Sequence, residues 1–264
     1  MRVDDICAIM KKVAKVEIMP RFRNLKETEV QFKEPGEFVT AADVGAEKML
    51  SRELQELYPY AIVTGEEDIS INLGRLNELI NSECGFLIDP IDGTNNFIKG
   101  NEQFAVMVTA LQHGEVGASW IYLPAKDLMA FARKGEGAFI NGERVTINNH
   151  KSNISDMIGA AHINRMPPEI RVKAKENLSR FKENRPAFCA GYDYVALLTG
   201  EKDFSVYYRT LIWDHLPGTL LFKEAGGYVM GLDGKPYTPK NEGTGLLSAP
   251  SLEAWQKIKE NLFE

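Results

Sequence analysis

Residues 85–94 read Gly85-Phe86-Leu87-Ile88-Asp89-Pro90-Ile91-Asp92-Gly93-Thr94, an apolar run that ends in two carboxylates, a glycine and a hydroxyl. Phe86 to Ile88 predicts a short buried strand bounded by Gly85 and Pro90, which puts Asp89 at a strand end where a crevice can open. Pro90 stiffens the turn and carries no N–H, Gly93 lets the backbone approach closely, and Thr94 can start a helix through Phe97. Two acids separated by two residues can aim at one cation or a pair of cations, while the amides of Gly93 and Thr94 point at an anion. Together these features point to metal-assisted phosphoryl chemistry. The structural alternative is an Asp-rich turn with a helix cap.

Further acids stand at similar junctions. Ala61-Ile62-Val63 predicts a strand running into Thr64-Gly65-Glu66-Glu67, although adjacent glutamates on a surface loop are commonly just solvated. Downstream, Leu211-Ile212-Trp213-Asp214-His215-Leu216-Pro217-Gly218 places an acid after an apolar run, at the start of a helix reaching Ala225. Asp214 reads equally as an N-cap, with Pro217 tolerated in the first turn. Thr40-x-x-Asp43 reads as a capping box opening a helix through Leu57, and a cap at a helix start can still face a cleft.

Four elements, in order, resemble the inositol monophosphatase family in its bacterial inositol-1-monophosphatase or extragenic-suppressor form. They are Thr40-Ala41-Ala42-Asp43, Gly65-Glu66-Glu67, Asp89-Pro90-Ile91-Asp92-Gly93-Thr94, and Trp213-Asp214 followed by Glu224-Ala225-Gly226-Gly227. The hairpin from Arg133 to Gly142 is similar too, so the resemblance spans nearly the whole chain. It implies an α+β (mixed) fold, a layered αβαβα sandwich of the fructose bisphosphatase and inositol monophosphatase type. It also implies a lithium-sensitive, Mg2+-dependent phosphatase and a homodimer. By the same resemblance Glu66, Asp89, Asp92, Asp214 and the carbonyl of Ile91 hold the metal, with phosphate against Gly93 and Thr94. Thr94 and Asp43 resemble the pair that orients the attacking water, with Glu66 nearby, so Asp43, Glu66 and Thr94 are the expected catalytic residues. Hard oxygen ligands suit such a cation, and no Cys/His cluster with zinc spacing competes. The implied reaction is direct in-line attack of water on a phosphate monoester, without a phosphoenzyme.

Composition fits an enzyme with a large core: 264 residues are 44% hydrophobic, enough for one domain or two closely packed halves. The net charge of -6 does not advertise a nucleic-acid surface, and the basic residues around Arg21, Arg23 and Lys26 read as solvated helix ends. Three widely spaced cysteines argue against a disulfide framework. Cys189 reads as a small buried hydrophobe rather than a nucleophile. The acids in Met1-Arg2-Val3-Asp4-Asp5 are wrong for a signal peptide and no apolar run is long enough to span a bilayer, so the cytoplasm and no membrane association are expected.

Along the chain, Val3, Ile6, Met10, Val13 and Ala14 have the spacing of an amphipathic helix, and Gln31 to Phe38 reads as an exposed connector. In family members the corresponding loop approaches the metals. Strand-like runs fill Phe104 to Val145, and Asn141-Gly142 is a hairpin signal. The polar stretch Asn148 to Asn153 divides a first half, 1–147, carrying most metal ligands, from a second half, 154–264, carrying Asp214. The two are expected to form one compact catalytic unit, with the site between them. In the second half strands and helices alternate: Ile158 to His162, a helix from Pro168 to about Phe181, Phe188-Cys189, a helix from Asp193, then Phe204 to Tyr208.

Substrate recognition departs from the family pattern. Inositol-specific members carry an acid several positions before Trp-Asp, where this chain reads Val206-Tyr207-Tyr208-Arg209-Thr210-Leu211. Asp92, Gly93, Thr94, Arg209 and Asp214 are the expected substrate contacts, Arg209 either meeting a second anionic group or pairing on the surface. Cys189-Ala190-Gly191-Tyr192-Asp193 replaces the small residues usual at the other pocket wall. His215 reads as a helix-surface or capping residue, with a hydrogen bond near the site as the alternative, and His113, His150 and His162 carry no assigned chemistry. The leading substrate is inositol monophosphate or a related sugar or polyol phosphate. A nucleotide 3′,5′-bisphosphate, fructose 1,6-bisphosphate or histidinol phosphate is the alternative, and a regulatory protein or RNA partner the reading from a different class.

Overall fold

Ala105–Gln112, reading AVMVTALQ, is buried on both faces, and the adjoining segments of the first half share its apolar character. Such strands need cover on both sides, which fixes the layering. The computed structural model describes residues 2–34, 37–148, 151–240 and 244–264. Its larger sheet runs Ile62–Gly65, Cys84–Asp92, Ala105–Gln112, Glu115–Leu123, Leu128–Arg133, Gly137–Ile140, Glu143–Val145, parallel in the first pair and antiparallel thereafter. Asn141 and Gly142, at φ 49° and 84°, supply the two left-handed residues that the tight turn before the last strand requires.

Helices Val3–Val13 and Ala41–Leu57 cover one face of this sheet through Ile6, Met10, Leu50 and Leu54 against Phe86, Ile88 and Trp120. On the other face lie helices Ala190–Leu198 and Ile212–Glu224, packing Tyr194, Leu216 and Leu221 against Leu87, Met107 and Ile121. Those central helices are covered in turn by a mixed sheet in the order Glu183–Asn184, Ile158–Ala161, Phe204–Tyr207, Leu246–Ala249, Tyr228–Gly231. Helices Pro168–Asn177 and Leu252–Phe263 close the outer face. The result is the expected αβαβα sandwich.

Central helix packing rests on one glycine. A Cβ on Gly218 would stand 1.9 Å from Cδ2 of the fully buried Tyr194 ring. Gly218→Ala is therefore expected to destabilise the protein by about 2 kcal/mol through overpacking, lowering Tm by roughly 5 °C. A thermal melt with unchanged Tm would show that the two helices separate freely.

Several boundaries differ from the sequence reading. The strand after Gly85 does not stop at Ile88 but continues to Asp92. Between its pairs Asp89↔Met107 and Asp92↔Ala105, three steps on one strand face two on the other, the mark of a bulge at Pro90-Ile91. The connector at 31–38 forms instead a two-stranded hairpin, Val30–Glu34 with Glu37–Thr40, while Pro35 and Gly36 lie outside the described residues. Phe188-Cys189 is not a strand: Phe188 has φ 56°, and Cys189 caps a helix that starts at Ala190, its sulfur accepting from the Tyr192 N–H. The short strand lies earlier, at Glu183–Asn184. Helix Pro168–Asn177 gives way to a 3-10 turn before Phe181. Asn149 and His150, inside the polar boundary stretch, lie outside the described residues.

Candidate active site

The bulge sets the first two carboxylates. Side chains alternate along a strand, so residues three apart normally face opposite ways, and the one extra residue of the bulge restores a common direction. Asp89 and Asp92 thus meet Asp214, and one carboxylate oxygen from each lies within 4.8 Å of the others. Asp214 is not the N-cap expected: helix Ile212–Glu224 begins two residues earlier behind an extended Leu211. An N-cap carboxylate would turn back onto its own helix, whereas the first-turn position projects Asp214 into the cleft. Pro217 falls in the second turn and is accommodated inside the helix.

Glu66 opens helix Glu66–Ile71 and lines the same cavity, of about 180 Å³, as Asp89, Asp92, Asp214, Ile91 and Thr94. Sequence reasoning missed what holds it there. Glu47 on the neighbouring helix accepts from the backbone N–H of Glu67 and of Asp68, both at 2.8 Å, and so caps the Glu66 helix from outside. Its only sequence signal was an acid on the buried stripe of that helix.

Asp43 completes the capping box and also meets Thr94. Oδ2 accepts from Thr40 N at 2.8 Å, completing the capping box, while Oδ1 lies 3.2 Å from the Thr94 hydroxyl. That hydroxyl is also 3.0 Å from the Ile91 carbonyl. Gly93, at φ 84°, begins the Thr94–Ile98 turn, and a Cβ there would meet Cys189 Cβ at 2.9 Å. Asp92 reaches across to the start of helix Ala190–Leu198, where its Oδ2 accepts from Gly191 N at 2.6 Å and lies 3.1 Å from Cys189 Sγ. Cys189 is buried, its thiol pushed well up by burial and by Asp92, as a structural thiol would be.

The electrostatics favour a cation. Among the described residues neither carboxylate oxygen of the buried Asp89 has a hydrogen-bond partner, a costly state for an ionised group without a counter-ion. Burial, followed by the neighbouring carboxylates, pushes Glu66 and Asp89 well up, and burial with Asp92 lifts Asp214 to about 8. Burial likewise raises Asp92 and Asp43 to about 6. These oxygens, with the Ile91 carbonyl, fit a hard divalent cation. Lys33, from the hairpin, lies 3.4 Å from Glu66 and 2.5 Å from Glu67. Burial alone would depress its ammonium, but Glu66 and Glu67 more than reverse this.

An adjoining cavity of about 280 Å³ shares Asp92, Asn95, Arg165, Phe188, Arg209 and Asp214 with the first. Tyr207 occupies the slot where an acid was missing from the sequence, its ring stacked 4.5 Å from that of His162. The nearest buried acid, Asp193, is already engaged by Lys202 and by His162 at 2.7 Å. His215 is not a surface residue but fully buried, and burial pushes its imidazole down to about 3. A carbonyl can only accept, so Nε2–H of His215 donates to Arg209 O at 3.3 Å and Nδ1 faces the Tyr194 hydroxyl at 3.5 Å. It steadies the segment carrying Arg209.

A mixed αβαβα sandwich that brings carboxylates of its larger sheet and of a central helix together on a cleft describes a metal-dependent phosphoesterase. The chain belongs to the inositol monophosphatase family, whose model matches residues 3–263. It is similar to the Thermotoga maritima fructose-1,6-bisphosphatase/inositol-1-monophosphatase, 30% identical over 75% of this chain and 73% of that one. Nus factor SuhB of Xylella fastidiosa is 29% identical over 75% of this chain and 70% of its own length. A solved Thermotoga maritima IMPase superposes with a TM-score of 0.85 at 24% identity, covering 99% of this chain and 96% of that one. No helix among the described residues is long and apolar enough to cross a membrane.

Proposed function

We propose that this chain is a Mg2+-dependent phosphate monoester hydrolase, acting on inositol monophosphate or a related sugar or polyol phosphate. The observation that carries the reading is Asp89, whose buried oxygens lack partners while Asp92 and Asp214 crowd the same point. Family membership and the names of the relatives agree with it. Glu66, Asp89, Asp92, Asp214 and the Ile91 carbonyl would hold the metal. Bound there, Mg2+ supplies neutralising charge for the phosphoryl oxygens and the leaving alkoxide and makes water nucleophilic at neutral pH.

This chain's own groups do the rest. The amides of Gly93 and Thr94 orient the phosphate where both residues line the cavity. Asp43, lifted to about 6, accepts through the Thr94 hydroxyl and aligns the attacking water with it and with Glu66. Cys189 is excluded as a nucleophile by its protonated, buried thiol. Helix Ala190–Leu198 contributes by holding Asp92 through the Gly191 N–H, which fixes the orientation of that carboxylate.

Phosphate release from inositol 1-phosphate is expected with Mg2+, to vanish in EDTA and to be suppressed by lithium. Release that persists undiminished in EDTA would sink the reading. A second role, binding a regulatory protein or RNA as the name of the SuhB relative suggests, requires none of the cleft carboxylates. Loss of all ester hydrolysis with the fold intact would favour it. The homodimer and cytoplasmic location belong to this reading too, and light scattering of the purified protein tests the former.

A further inference from the structure

A cavity of about 520 Å³ opens on the flank of helix Ile212–Glu224, larger than either cavity of the cleft. None of Glu66, Asp89, Asp92 and Asp214 lines it. Its volume falls within the roughly 300–1,000 Å³ usual for small-molecule sites. Leu216 and Leu220 of the helix, with Val116, Tyr237 and Pro239, give it apolar walls. Three ammonium groups stand around them, Lys134, Lys223 and Lys240, and the two lining acids are already committed. Glu224 accepts from the backbone N–H of Gly135 at 2.8 Å and of Gly137 at 2.9 Å, while Glu115 pairs with Lys134 at 2.8 Å. Among the described residues, Lys223 and Lys240 meet no carboxylate at ion-pair distance. Partial burial pushes the Lys223 ammonium down, so it is partly desolvated as well as unpaired. Lys240 lies over the hairpin turn, where a Cβ on Gly114 would stand 3.1 Å from its Cε and 3.4 Å from its Nζ.

We propose that this cavity is a second ligand site, and that it takes a small amphipathic anion: an apolar body of one or two rings along Leu216, Leu220 and Tyr237, and a single carboxylate or sulfonate between Lys223 and Lys240. The two halves of the ligand answer two separate features of the wall. A purely apolar molecule would cover the leucines and leave both ammonium groups unpaired beside it, which is costly once water is displaced. A small polar anion would pair the lysines and leave the apolar wall wet, forgoing the burial that makes a cavity bind. Charge-assisted hydrogen bonds to a desolvated ammonium are the strong kind, so the anionic end sets the affinity and the apolar body sets the fit. The metal-free cleft offers such a molecule the opposite field, because its converging carboxylates repel an anion. The floor of the cavity is the helix that carries Asp214, nine residues and roughly 13 Å from Lys223, so an occupant rests on the element that places a candidate metal ligand.

Two fluorescent probes that differ in one charged group make the test, 8-anilinonaphthalene-1-sulfonate and the neutral N-phenyl-1-naphthylamine. Titrated against the full chain in EDTA, the sulfonate is expected to saturate at a single site per chain. Lys223→Gln combined with Lys240→Gln should weaken it by about tenfold or more and leave the neutral probe within about twofold of wild type. Lys240→Glu alone, which reverses one charge, should weaken the sulfonate by a similar factor and keeps the test decisive if the double variant melts early. Arg209→Gln, at the mouth of the cleft where Arg209 pairs with Glu37, should leave the sulfonate affinity unchanged. Sulfonate affinity that is the same in wild type and in every lysine variant overturns the site, as does failure of the sulfonate to saturate. A fall confined to Arg209→Gln places the probe in the cleft and overturns it too. An equal fall for the neutral probe shows that the lysines shape the cavity without recognising charge, and overturns the assigned ligand class. Ester hydrolysis has no part in any of these readouts, so they stand or fall independently of the phosphatase reading.

Discussion

Asp89→Asn is expected to lower Mg2+-dependent phosphatase activity by at least about a thousandfold while raising the stability of the metal-free protein. The first effect follows from position. Asp89 is the most deeply buried of the three converging carboxylates and has no other partner among the described residues, so an isosteric amide removes a charged metal ligand and substitutes nothing. Losing a partner outside the coordination sphere commonly costs 10–100-fold, and a direct ligand contributes more. The second effect separates this variant from simple misfolding. Burial, with Glu66, Asp92 and Asp214, pushes Asp89 well up, so in the metal-free fold it must either stay charged without a partner or hold a proton that the unfolded chain releases, and an amide avoids both costs. Melting in EDTA near pH 8 should show a Tm higher by a few degrees than wild type. Retained Mg2+-dependent turnover, or a lower Tm in EDTA, would contradict the assignment of Asp89 as a ligand.

How the site became legible depends on chain distance. Asp89 and Asp92 lie on one strand, and their spacing with Pro90 and Gly93 signalled a shared target, although the bulge that makes it possible had no separate signature. Asp43 was readable as a cap because the capping box is local, and the oxygen that meets the Thr94 hydroxyl is the one the N–H of Thr40 leaves over. Asp214 was placed in the right helix but at the wrong cap, since an extended Leu211 serves as N-cap without any polar side chain to announce it. Arg209 was readable as a candidate, and its partner was not. Glu37 is 172 residues away in sequence, on a hairpin read as a connector, and Arg165, three residues after His162, stands in a segment that carried no chemical signal. Lys33 was hidden in the same connector, and Glu47 was masked by the helical stripe it interrupts. For His215 the surface reading fails and the hydrogen-bonding one stands: a histidine beside an acid at a helix start is commonly solvated, whereas here the middle layer of the sandwich closes over it and it meets the Arg209 carbonyl.

The larger sheet and the middle helical layer are joined by contacts at the candidate site. Asp92 is on the larger sheet, yet its carboxylate is held by Gly191 at the start of a helix in the middle layer. Asp214 arrives from the other central helix, whose spacing from the first is fixed by Gly218 against Tyr194. Packing defects between these helices therefore alter ligand geometry as well as stability, so Gly218→Ala should weaken metal binding in parallel with its lower Tm.

In EDTA the protein is expected to lose stability as pH rises from 5.5 to 8, and in Mg2+ that loss should shrink or reverse. Asp92 and Asp43 at about 6 and Asp214 at about 8 are all raised above the ordinary carboxylate value by burial, with Glu66 and Asp89 shifted the same way. The folded state then holds protons that the unfolded chain has released, so its advantage is fullest below the unfolded carboxylate range near 4 and is lost as pH climbs through these raised values. Glu47, raised to about 7 by burial, has the same sign. His215 works oppositely: at about 3 in the fold, it penalises folding as pH falls below its unfolded value near 6.5. One histidine faces six raised carboxylates, so above pH 5.5 the carboxylates decide the slope. Lys33, whose ammonium is held by Glu66 and Glu67, moderates the repulsion without cancelling it. A fall in Tm of roughly 5 °C or more is expected across this window in EDTA. Because the ligands must be deprotonated to bind, Mg2+ should raise Tm more at pH 8 than at pH 5.5. A Tm in EDTA that stays flat or rises with pH would show the carboxylates to be already neutralised by partners within the fold, and a metal would then have no unmet charge to bind.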